Sequence, residues 1–195
     1  MDQTLLKEMA TCVDRLAIER VLGLYCRAID RLDLELLRSI YHADGFDDHG
    51  GIRANGHEFA EQIIGTLGQM CSYTMHTVTH SVVDVRGDTA VSEAYYLAVH
   101  TITGGQTAVS SWFGERYAEA QMAAGLLDQP HEYLCCGRYL DELHKRDGQW
   151  KIYRRQITNE WGVCRPAMTV AEGIPAAFTR HGSRDRSDPI YAFLG

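Results

Sequence analysis

An α+β fold, with helices grouped at the front of the chain and antiparallel strands behind them, is predicted by three observations. From Leu5 to about Ile40 the apolar residues recur at three- and four-residue intervals, marking one buried helical stripe through Ala17, Val21, Leu24, Tyr25, Ala28 and Ile29. After Gly68 the period changes to alternation, in runs rich in Val, Thr and Tyr that are punctuated by Gly-containing turns. Helices and strands are therefore segregated along the chain and do not alternate as in a parallel α/β sheet.

Each element follows from local chemistry. Asp33 is a fair N-cap, so a second short helix carries Leu36, Leu37 and Ile40. Asp44-Gly45 breaks that pattern, and Phe46 to His49 reads as a short strand. Gly50-Gly51 and Asn55-Gly56 mark a loop, and His57 to Leu67 reads as an amphipathic helix. Thr77 to Val85 and Thr89 to Thr103 form one hairpin around Arg86-Gly87-Asp88. Tyr133 to His144 and Trp150 to Thr158 form another around Arg146-Asp147-Gly148. Between the hairpins, Gly114 to Leu127 is rich in Ala, Glu, Met and Leu, and one inserted helix is expected over about 112–127. The 195 residues suit one domain with a core of about 14–161 and an irregular tail over 162–195.

Composition narrows the function. A net charge of −7 repels phosphate, which argues against nucleic acid and against an anionic membrane surface. No apolar run approaches the length of a membrane span, and Met1-Asp2 opens directly on a helical pattern without a secretory leader. The six cysteines contain no C-x-x-C pair, so a cytoplasmic protein with reduced thiols is expected. Asp47, Asp48 and His49 are adjacent, and three neighbouring strand residues cannot all face one ion. They read as a solvated edge, with no metal expected, and Cys135-Cys136 reads as packing.

Three stretches together resemble the SnoaL-like family of the nuclear-transport-factor-2-like superfamily. They are Tyr25 to Asp30, Met75 to His80 with the following Val83 to Ala90, and Gly137 to Asp141 with Arg146 to Ile152 and Arg155. The likeness spans roughly Asp14 to Trp161. It implies a cone-shaped α+β barrel, with a curved, mostly antiparallel sheet packed on the N-terminal helices around one deep pocket. Members include scytalone dehydratase, bile-acid 7α-dehydratase, hexachlorocyclohexane dehydrochlorinase, ketosteroid isomerases and polyketide cyclases, and also proteins without catalysis. Function must therefore be argued from the site.

In the dehydratase-type members an Asp at the end of the first helix orients a His on the sheet. By motif order these are Asp30 and His76. The carboxylate would fix the imidazole tautomer, and the imidazole would act as a general base. Tyr25 matches a Tyr that helps bind or protonate an oxygen substituent, and it equally suits a plain core aromatic on the helical stripe. Arg155 matches an Arg that faces the pocket and could meet a leaving halide or oxyanion. Alternation predicts that one of Arg154 and Arg155 points inward.

His80, four residues after His76, falls on the same face of a regular strand. His80, His100 and Asn159 are the candidate substrate-binding groups, although the plain reading of both histidines is structural. Asn159 stands close to where the bile-acid enzyme has an Arg. The resemblance thus implies a cofactor-independent lyase or related isomerase for a cyclic apolar small molecule such as a steroid or polyketide. The alternative is a noncatalytic ligand-binding protein or the small subunit of a ring-hydroxylating dioxygenase. The segment Gly104 to Pro130 is long for a hairpin link and suits a lid. A homo-oligomer is expected, a trimer before a dimer, because the tail carries Met168, Ile174, Phe178, Ile190, Tyr191 and Phe193.

Overall fold

A computed structural model describes residues 2–168 and 172–194. The first helix, α1, spans Gln3–Asp30 and is capped by Asp2, whose side chain accepts from the Thr4 N–H. Ile18, Val21, Leu22, Tyr25, Ala28 and Ile29 are buried on one side of it, and the exposed N-terminal turns extend beyond the core. Asp33 caps α2 (Leu34–Ser39) by accepting from the Leu36 N–H at 3.1 Å. Strand β1 (Tyr41–Asp48) and the short β2 (Arg53–Asn55) precede α3 (Gly56–Met70).

Four long strands follow: β3 (Cys71–Arg86), β4 (Thr89–Ile102), β5 (His131–Arg146) and β6 (Gln149–Pro166). The sheet order is β2-β1-β6-β5-β4-β3. All pairs are antiparallel except β1 with β6. The molecule is thus an α+β barrel in which a curved sheet closes on α1 and α3. Tight turns place positive φ at Gly87 and at Asp147-Gly148, where the sequence pattern puts the hairpin ends.

Several boundaries differ from expectation: β1 starts at Tyr41 and runs through Asp44-Gly45, β2 lies where a loop was expected, and β3 starts at Cys71, ahead of Thr77. The inserted segment forms two helices, α4 (Gln106–Phe113) and α5 (Glu115–Ala123), and not one. Gly114, at φ +88°, separates them, a backbone conformation that ends α4 and that other residues rarely adopt. Strand β6 runs on to Pro166, because β5 begins at His131 and pairs with it over its full length, so the core passes 161. The tail, apart from its residues 169–171, which lie outside the described residues, is not wholly irregular. It forms a 3₁₀ turn at Ile174–Ala177 and a short helix, α6 (Pro189–Leu194).

The tail also folds back on the helical end of the barrel. Arg31 pairs with Asp188 at 3.0 Å, Tyr191 donates to Asp33 at 2.8 Å, and Arg184 donates to the carbonyls of Leu67 and Cys71. All six cysteines are unpaired. Among the described residues, no helix is long and apolar enough to cross a membrane.

Candidate functional site

One cavity of about 360 Å³ opens between the helices and the concave face of the sheet. Its apolar walls come from Ile29 of α1, Ile63 and Leu67 of α3, Ala98 of β4 and Ile157 of β6. Its polar groups belong to Tyr25, His49, His76, Tyr96, His100, Tyr133, Tyr139 and Asn159. A mainly apolar chamber with convergent polar groups is the usual form of a small-molecule site.

Asp30 and His76 meet at its wall. Asp30 is the last residue of α1, which packs against β3 and delivers the carboxylate to the strand. One carboxylate oxygen lies 2.8 Å from His76 Nδ1, and the other accepts the His76 backbone N–H at 2.9 Å. Both side chains are about nine-tenths buried, at 8% and 10% exposure. An ionised carboxylate only accepts, so Nδ1 carries the N–H of this hydrogen bond and Nε2 is the ring nitrogen left outside it. Asp30 does not line the cavity, whereas His76 does. Asp30 therefore reaches the cavity only by way of His76.

Tyr25 forms part of the floor and is 1% exposed. Burial pushes its phenol well above the ordinary range, only partly offset by the Arg155 charge, so it stays protonated. Its ring meets Tyr139 edge-on at 5.2 Å, and Tyr139 stacks on Tyr96 at 4.6 Å.

Arg155 corrects an expectation. It points inward, as strand alternation requires of one of the pair, and Arg154 is exposed. It does not line the cavity, however. Its guanidinium lies under the floor, 4.1 Å from the Tyr25 ring and 4.3 Å from the Tyr139 ring. Asp141, its partner in the β5–β6 register, takes Nε and one terminal nitrogen at 2.7 Å each, and both side chains are fully buried. A buried guanidinium must pair, and here a carboxylate of the chain does what a leaving group was expected to do.

His80 is the second correction. A bulge in β3 between Val78 and His80 shifts the register by one residue, and a one-residue shift sends later side chains to the other face. His80 is exposed and stacks on Tyr95 at 4.6 Å, away from the cavity.

His100 does reach the cavity. Its ring lies 5.0 Å from the His76 ring and 5.4 Å from Trp112 of α4. Burial, and then the neighbouring His76, pull its pKa down to about 3, so it is a neutral imidazole. Its Nδ1 is buried without a protein partner. Asn159 stands at the rim and lies across a second bulge, between Cys136 and Gly137. With its nitrogen toward the chain, its amide donates to the carbonyls of Cys136 and Trp161 at 3.2 and 3.1 Å, which commits that end to the backbone. A side chain at Gly137 would collide with the Thr158 carbonyl, so only glycine permits this close pass.

The third correction concerns Asp47 and His49. Asp47 is fully buried and not on a solvated edge, and His49 lines the cavity. Residues two apart on a strand share a face, and that spacing was the available signal. Asp48, between them, points out and pairs with Arg53 at 2.9 Å. Trp112, Tyr133 and Tyr96 are also cavity residues that no sequence motif marked. The Cys135 thiol borders the cavity too, and burial pushes it up to about 11, so it is no ready nucleophile.

The arrangement defines a class before any comparison: a barrel with a histidine held by a buried carboxylate on the wall of a mainly apolar chamber. The SnoaL-like domain model matches residues 10–156, and the chain belongs to that family. No curated protein matches the chain in sequence.

Among solved structures, a hexachlorocyclohexane dehydrochlorinase of type 2 is similar with a TM-score of 0.64 at 17% identity, covering 85% of this chain and 97% of that one. A Novosphingobium aromaticivorans protein assigned to the scytalone dehydratases gives 0.61 at 21% identity, over 84% and 97%. A protein from the same organism assigned to the aromatic ring hydroxylases gives 0.60 at 19%, over 80% and 94%. At these identities the likeness shows the shared fold.

Proposed function

We propose that this chain is a cofactor-independent lyase of the dehydratase type, or a related isomerase, acting on a cyclic apolar small molecule such as a steroid or polyketide. The observation that carries the reading is the Asp30–His76 pair, with Nδ1 taken up by the carboxylate and the ring on the wall of a mainly apolar cavity. In this reading His76 takes a proton from a ring carbon. The C–H electron pair forms the new double bond, and the bond to the leaving group breaks. Asp30 balances the imidazolium that results. Tyr25, protonated at neutral pH, and the neutral His100 supply hydrogen bonds to an oxygen substituent, and Asn159 orients the ligand at the rim. Trp112 brings α4 over the cavity as a lid.

The relatives named above as dehydrochlorinase and scytalone dehydratase support the elimination chemistry by family. Incubation with a panel of hydroxylated and halogenated cyclic compounds, read by mass spectrometry, tests it. Loss of water or halide is expected with the native chain and not with His76→Ala. Equal turnover by both would refute the assignment.

We further propose a cytoplasmic homo-oligomer, a trimer before a dimer. The free cysteines suit a reducing compartment. The outer sheet face exposes Tyr73, Met75, Tyr95, Leu97, Trp161 and Val163, and the tail exposes Met168, Ile174, Phe178 and Phe193. Apolar surface of that extent calls for a cover. The same face would serve a large partner subunit if the chain were a noncatalytic dioxygenase component. Light scattering of the isolated chain separates the two: a stable trimer or dimer supports self-association, and a monomer overturns it.

A further inference from the structure

His49 lies one residue beyond β1 and lines the same cavity as His76. Its Nδ1 is 3.1 Å from one oxygen of Asp47, whose side chain has no exposed surface. Tyr41 donates its hydroxyl to the other Asp47 oxygen at 2.6 Å. The His49 ring rests on Phe59, with centroids 4.9 Å apart. Position and tautomer are thus both fixed, as they are at His76: a buried carboxylate occupies Nδ1 and leaves Nε2 as the free ring nitrogen.

Asp47 pairs in register with Arg155 of β6, and Arg155 with Asp141 of β5, so two buried aspartates stand on the strands either side of Arg155. Arg155 gives both of its hydrogen bonds to Asp141. The Asp47 carboxyl has Tyr41 and His49 as its hydrogen-bonding side chains. A buried carboxylate needs hydrogen-bond donors, and the Tyr41 hydroxyl and the His49 Nδ1–H supply them.

We propose that Asp47 and His49 form a second Asp–His pair on this cavity, one that gives a proton to an oxygen leaving group while His76 removes the proton from carbon. The inference rests on the elimination reading and assigns its acid. The step balances. His76 Nε2 gains the ring-carbon proton, and the C–H pair becomes the C=C bond. The C–O pair goes to oxygen, which takes the proton from His49 Nε2 and leaves as water. Afterwards His76 is charged and His49 neutral, and exchange with solvent restores both. Hydroxide is a poor leaving group and needs such an acid, whereas halide does not.

The test uses the full chain with ¹⁵N-labelled histidine and 4-nitrophenol as the probe of the cavity. The expected result is that the probe moves the ring ¹⁵N signals of His49 and His76 together. His49→Gln should weaken probe binding by about tenfold, the size of one charge-assisted hydrogen bond. Tyr41→Phe leaves the cavity wall intact, so it should shift the His49 signals and weaken the probe by a smaller factor even if His49→Gln does not fold. His80→Gln, on the outer face, should change nothing. If His76 responds and His49 does not, with His49→Gln or Tyr41→Phe binding as the native chain, the second pair is refuted and the elimination reading stands. If His76 does not respond up to millimolar probe, both fail.

Discussion

At the scale of single residues, the strongest constraint is that Asp30 holds His76 twice, by ring and by backbone N–H. Asp30→Asn keeps a similar shape but cannot balance an imidazolium. Activity should fall by about 10²–10³-fold with the melting temperature little changed, as measured by turnover and calorimetry on the same sample. The Arg155–Asp141 pair should behave in the opposite way. Both groups are fully buried, so Asp141→Ala strands a guanidinium and should cost about 3–5 kcal/mol. A lower urea midpoint at unchanged slope would show this. Replacing both residues with apolar ones should cost less than removing Asp141 alone.

At the scale of elements, most of the fold was legible because period and punctuation agree. The stripe on α1, the Asp33 cap, the Asn55-Gly56 entry to α3 and both hairpin turns are local signals, and each lies where it was read. What was not legible depended on register or on contacts between distant strands. One extra residue in β3 turns His80 outward, and nothing in Thr79-His80 announces a bulge. Asp47 reads as exposed until β6 is laid parallel beside β1, burying it. Alternation put one of Arg154 and Arg155 in the interior, but that Arg155 is the one and that Asp141 is its partner are set by the β5–β6 register. The helix α4 was missed because its only strong feature is Trp112, which is held by packing near His100 and Tyr133. Trp112→Ala should therefore weaken binding of ring ligands by roughly tenfold with little loss of fold stability, read by fluorescence or calorimetric titration. Unchanged affinity would remove α4 from the cavity's role.

At the scale of the whole molecule, the buried His100 links stability to pH. Its pKa falls from 6.5 to about 3 in the fold. Between those values the unfolded chain binds a proton that the folded chain refuses. The stability is fully present above pH 6.5 and is lost as pH falls toward about 3, at up to ~1.4 kcal/mol per pH unit. His100→Gln should flatten that part of the profile, as urea midpoints at neutral and mildly acidic pH will show. The central claim is that the barrel turns a carboxylate-held His76 into a base for ring carbon. Deuterium wash-in at the α-carbon of 2-tetralone in D₂O tests it most directly, since this needs a base and no leaving group. The account predicts exchange well above the background of free imidazole, reduced by about 10²–10⁴-fold in His76→Ala. Exchange by the native chain no faster than by His76→Ala would contradict it.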